Sequence, residues 1–139
     1  MGIPVMNFGL FYRLVLILVI SISYGCGDTS EINLGKVTGT ITVNGQPLSD
    51  GEITFQPGSG RPSLGMTNSL GFYELHYTKG KKGALVGSHS VIITTSMPDD
   101  GRTQSPGLLT IPSRYNTATE LSFEVKPGQN KADFQLDIN

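Results

Sequence analysis

The side chains of this 139-residue chain with the best claim to chemistry are two histidines, one cysteine and one adjacent acidic pair. His76 and His89 could hold a metal or move a proton, but either role needs a partner at a fixed spacing. They stand in separate runs, GFYELHY and VGSHSVIITTS, with no His, Cys or acid at zinc-ligand spacing beside them. His89 shares the parity of Val91 and Ile93, so a packed, hydrogen-bonded core position is expected for it. Asp99-Asp100-Gly101 concentrates acid without the alternating oxygen ligands of a calcium loop, and reads as a solvated turn. No serine sits in a nucleophile elbow, and no glycine-rich phosphate loop occurs. The expectation is therefore no catalytic residue, no metal and no cofactor. A net charge of −1 lacks the basic footprint of a nucleic-acid partner.

The single cysteine, Cys26, follows an apolar run. Leu14 to Ile22 reads LVLILVISI, Arg13 supplies a positive flank, and Ser23, Tyr24 and Gly25 form a small or polar exit. These are the three parts of a secretory signal peptide, and the run is too short for a spanning helix of roughly 20 residues. SYGC resembles the lipobox of bacterial lipoproteins, with Gly25 and Cys26 matching, serine where leucine is usual and tyrosine bulkier than common. That resemblance implies acylation of Cys26 and cleavage just before it. Ordinary cleavage after Gly25 is the alternative, and would leave a free exported thiol. Gly27 is not the aspartate that marks inner-membrane retention, so the resemblance implies an outer-membrane anchor. Residues 1–25 are then the signal peptide, a helical leader, and 26–35 a small, polar tether.

The surface handles lie in connections. Lys79-Gly80-Lys81-Lys82-Gly83 places three like charges in a glycine-containing link, and 97–118 is a long connection carrying Arg102, Arg114 and Tyr115. Lys79, Lys81, Lys82, Arg102, Arg114 and Tyr115 are the expected partner-binding residues, since loops are left free while strands spend alternate residues on the core. Ile111 and Tyr115 could instead pin the long connection across a sheet edge.

The elements that must position these handles are strands. KVTGTITV alternates strictly, with Val37, Gly39, Ile41 and Val43 on one face, and Asn44-Gly45 ends it with a dipeptide suited to positive φ. EITFQP, LGMTNS, GFYELHY, VGSHSVIITTS, ELSFEV and KADFQLDI follow, bounded by turn residues. The 18 glycines and 8 prolines suit many short strands rather than helices. The expected architecture is an all-β, antiparallel, seven-stranded sandwich over residues 36–139, because one sheet could not bury so many inward apolar residues. Its core is expected at Val37, Ile41, Val43, Ile53, Phe55, Tyr73, Leu75, Val91, Ile93, Leu121, Phe123, Phe134 and Leu136.

VTGTITVNGQPLSDGEITFQP followed by GMTNSLGFYEL resembles the carboxypeptidase-regulatory-like domain. The family pattern Thr-Asp-x-x-Gly-x-Tyr-x-Leu is met by Thr67, Gly71, Tyr73 and Leu75, with Asn68 in place of aspartate. The resemblance spans residues 36–139 and implies a Greek-key sandwich of transthyretin-like topology. Its motifs are structural, so they carry the fold and not a function. The combined expectation is a lipid-anchored, cell-envelope protein with a non-catalytic binding or structural role, attached to the membrane and meeting an envelope protein or polysaccharide. A carbohydrate-binding accessory domain is the alternative; it would need an aromatic platform built without tryptophan. Hydroxyisourate hydrolases share the fold, but their C-terminal Tyr-Arg-Gly-Ser signature is replaced here by FQLDIN.

Overall fold

The alternating run that begins the domain becomes β1 (Leu34–Val43), its buried residues falling at every second position from Gly35 to Val43. The computed structural model describes residues 31–95 and 109–139, together with Gly2. The expected leader, Cys26, Arg102 and the acidic pair lie outside the described residues. Ile32–Asn139 forms one unit, and among its described residues every regular element is a strand apart from one short 3-10 turn, Ser113–Tyr115.

The strands form two sheets. β1 is the hub of the first, pairing antiparallel with β2 (Gln46–Pro47), β5 (Phe72–Glu74) and β8 (Ala84–Leu85). It runs parallel to β11 (Gly128–Lys131) and β12 (Phe134–Leu136). The second sheet is antiparallel throughout, with β10 (Ser122–Val125), β9 (Gly87–Thr95), β3 (Gly51–Pro57), β4 (Ser63–Met66), β6 (His76–Thr78) and β7 (Lys81–Lys82) adjacent in that order. Among the described residues no closed barrel forms. Asn44 and Gly45, at φ 48° and 82°, make the two-residue turn between β1 and β2.

Two runs that read as single strands are divided, each for a reason visible in the core. GFYELHY leaves the first sheet at Leu75: β5 pairs with β1, whereas β6 pairs with β4. Leu75 itself is fully buried between them, its N–H donating to Val37 O at 3.0 Å. KADFQLDI is likewise broken, because Ala132 and Asp133 bind β1 in their own way. Ala132 N–H reaches Thr38 O at 2.9 Å, and the Asp133 carboxylate accepts from the Thr40 N–H at 2.8 Å. This requires a glycine at position 39, where a Cβ would stand 1.8 Å from Ala132 O.

The core lies between the sheets. Ten of the thirteen expected core residues are buried, while Leu121, Phe123 and Phe134 are only partly buried and pack against its edge. Phe55 is the centre of an aromatic group, with ring centroids 5.7 Å from Phe123 and 6.3 Å from Phe134. Leu48, Ala84, Ile111, Val125 and Ala132 complete the buried hydrophobic set among the described residues. Ile111 and Tyr115 dock on this core from the 109–118 segment.

Candidate functional site

Among the described residues, the large exposed apolar side chains other than Ile32 gather around β4 and the turn that follows it. Its alternation is inverted: Ser63, Gly65 and Thr67 face inward, and Leu64 and Met66 point out at 49% and 58% exposure. The cause is space. A Cβ at Gly65 would lie 2.9 Å from Glu74 O and 3.2 Å from the Leu75 side chain, so no large residue fits the inner face there. Thr67 is also buried, its hydroxyl accepting from the Gly51 N–H at 2.8 Å.

The turn after β4 adds Leu70 and Phe72, exposed by 73% and 44%. Asn68 builds that turn, its side-chain oxygen accepting from Leu70 N–H at 2.9 Å and Phe72 N–H at 3.0 Å. Gly71 has φ 74°, and a Cβ there would stand 2.5 Å from Ile41 O. With Tyr73 and Leu75 committed to the core, Phe72 must take the opposite face.

Leu64, Met66 and Phe72 line a groove of about 550 Å³, with Glu52, Glu74 and His76 among its polar residues. Glu74 pairs with two lysines, Lys82 Nζ lying 2.7 Å away and Lys36 Nζ 3.6 Å, and His76 Nε2 stands 3.8 Å from it. The Lys82 hydrogen bond, above all, holds the Glu74 carboxyl below its ordinary range. That makes it a weaker proton acceptor and a fixed countercharge. Among the described residues, no group of three or more His, Cys, Asp or Glu could hold a metal, and no helix is long and apolar enough to cross a membrane.

The expected handles separate into two sets. Lys79 and Gly80 form the tip of the β6–β7 hairpin, Gly80 having φ 92°, and Lys79, Lys81 and Lys82 are all exposed. Lys82 is tied to Glu74 beside the groove. Arg114 and Tyr115 lie elsewhere and are engaged within the domain. The Arg114 guanidinium donates to Asp137 O and lies 4.9 Å over the Tyr115 ring, and the Tyr115 hydroxyl accepts from Asp137 N–H at 3.1 Å. These contacts pin the end of the long connection to the residues following β12.

His89 is buried, its Nδ1 within 2.9 Å of Gly87 O and its ring 5.7 Å from that of Phe55. Among the described residues, its Nε2 and the hydroxyl of Ser63 meet no hydrogen-bond partner. No family model matches the chain, and no curated protein matches it.

Proposed function

We propose that this chain is a lipid-anchored, non-catalytic binding module of the bacterial cell envelope. In this reading, the domain at 36–139 has the seven-stranded Greek-key, transthyretin-like topology of carboxypeptidase-regulatory-like domains. One observation carries the binding role: Leu64, Met66 and Phe72 stand exposed around a single groove, beside Leu70 at the neighbouring turn. Isolated exposed apolar residues are ordinary, whereas a contiguous cluster with a polar rim is how docking surfaces are built. The family resemblance is supported by the physical work of its motif residues. Asn68 shapes its turn through an oxygen that aspartate shares, Gly71 allows the close approach to Ile41 O, and Tyr73 and Leu75 enter the core.

The anchor reading rests on Cys26 and its flanks. Its test is expression of wild type and Cys26→Ser in a bacterial host, followed by membrane fractionation and intact-mass measurement. The wild type is expected in the outer-membrane fraction, beginning at an acylated Cys26, and the variant among soluble envelope proteins. An unmodified thiol on the mature wild type would refute the anchor.

A further inference from the structure

The groove does not end in neutral surface. Register places Ile92, Thr54, Leu64, His76 and Lys82 side by side across β9, β3, β4, β6 and β7, so they share the outer face of the second sheet. One step along, Thr94, Glu52 and Met66 form a parallel row. The face therefore passes from apolar side chains at β4 to the lysine hairpin within two strands. Lys79, Lys81 and Lys82 border it on the hairpin, and Lys36 joins through its contact with Glu74. Against these four cations stand the carboxylates of Glu74, which already pairs with Lys82 and Lys36, of Glu52, and of Glu124 at the far β10 edge of the same face.

Apolar side chains flanked by ammonium groups match one kind of surface closely. At the interface of an anionic bilayer, the former enter the headgroup layer while the latter meet lipid phosphates. We propose that the outer face of the second sheet at β4, together with the adjoining β5 edge of the first sheet, docks on an anionic lipid surface, with Leu64, Met66 and Phe72 entering the interface and Lys79, Lys81, Lys82 and Lys36 against the headgroups. The proposal rests on the reading of the chain as membrane-anchored. Cys26 precedes Leu34 by eight residues, a tether of at most about 29 Å. An acyl chain at Cys26 would hold the local lipid concentration high, so a weak contact suffices to orient the domain.

The chain contains no tryptophan, so Met66→Trp introduces a single reporter at a position with room for it. Gln135→Trp, exposed on β12 of the first sheet, is the reference. Each full-length protein is placed on phosphatidylglycerol vesicles carrying brominated acyl chains, and on phosphatidylcholine vesicles of the same kind. On phosphatidylglycerol, Met66→Trp emission is expected to shift to the blue and to be quenched severalfold more than that of Gln135→Trp. The difference should shrink on phosphatidylcholine and in high salt. Equal, solvent-like emission from both tryptophans, while the protein floats with the vesicles, overturns the docking and assigns the groove to a protein partner. If the protein carries an unmodified thiol and does not float, the anchor reading has failed. Quenching of Met66→Trp by anionic vesicles added to that soluble protein then decides the docking separately.

Discussion

Replacing Tyr73 with phenylalanine removes one oxygen from a buried polar contact of the domain, and its effect should depend on pH in a defined direction. Tyr73 is 1% exposed, and its hydroxyl donates to Ala132 O at 2.5 Å. Burial first, and the charge of Asp133 second, push the phenol well above its ordinary 10.0. The folded state therefore holds this proton more tightly than the unfolded chain. Its contribution to stability is complete below the unfolded value and declines as pH rises past it. The decline is about 1.4 kcal/mol per pH unit, until the native phenol itself ionises. At about pH 8, Tyr73→Phe should cost about 1–2 kcal/mol for the lost hydrogen bond. At about pH 11, the gap between wild type and variant should have narrowed by about 1.4 kcal/mol. Tyr115, whose phenol is lowered chiefly by Arg114, contributes with the opposite sign, but it is present in both proteins and cancels. Urea melts at the two pH values with unchanged m report the difference directly. A gap of the same size at both would refute the burial argument.

Two further substitutions test the packing and the turn. Phe55→Ala should cost about 3–5 kcal/mol, and Phe123→Ala clearly less, because Phe55 is fully buried and Phe123 only partly; equal losses in urea melts would contradict the placement of the core. Asn68→Ala should lose about 1–2 kcal/mol by stripping two N–H groups of their acceptor, whereas Asn68→Asp should stay within about 0.5 kcal/mol of wild type. Thermal melts of both variants check this, and an Asp variant as unstable as the Ala variant would show that the side-chain nitrogen matters.

The strands were readable where large residues alternate with polar ones. β1, β3 and β9 carry Val37, Ile41, Ile53, Phe55, Val91 and Ile93 inward, as their parity implies. His89 follows the same rule, and is buried and bonded through Nδ1. The groove was harder to read because β4 places its small residues inside. Periodicity marks Leu64 and Met66 as sharing a face but does not say which one, and the deciding fact is the closeness of Gly65 to Glu74 O. Phe72 was legible in principle, since assigning Tyr73 and Leu75 to the core leaves it outside. The division of GFYELHY depends on which strands its halves pair with, a long-range property that no local pattern encodes. Arg114 and Tyr115 illustrate the same limit: an exposed-looking pair in a long connection is held by Asp137 from the far end of the chain.

The parallel pairing of β1 with β11 and β12 has a mechanical meaning. In adjacent parallel strands, the start of one and the end of the other lie at opposite ends of the ladder. Tension between Leu34 and Leu136 therefore pulls along the strand axes, and loads the β1–β12 hydrogen bonds together in shear. Pulling apart the two ends of an antiparallel hairpin such as β1–β2 would instead break its bonds one after another. A domain held by a tether at its first strand and pulled from its last would yield late and abruptly, as a clamp does, rather than peel.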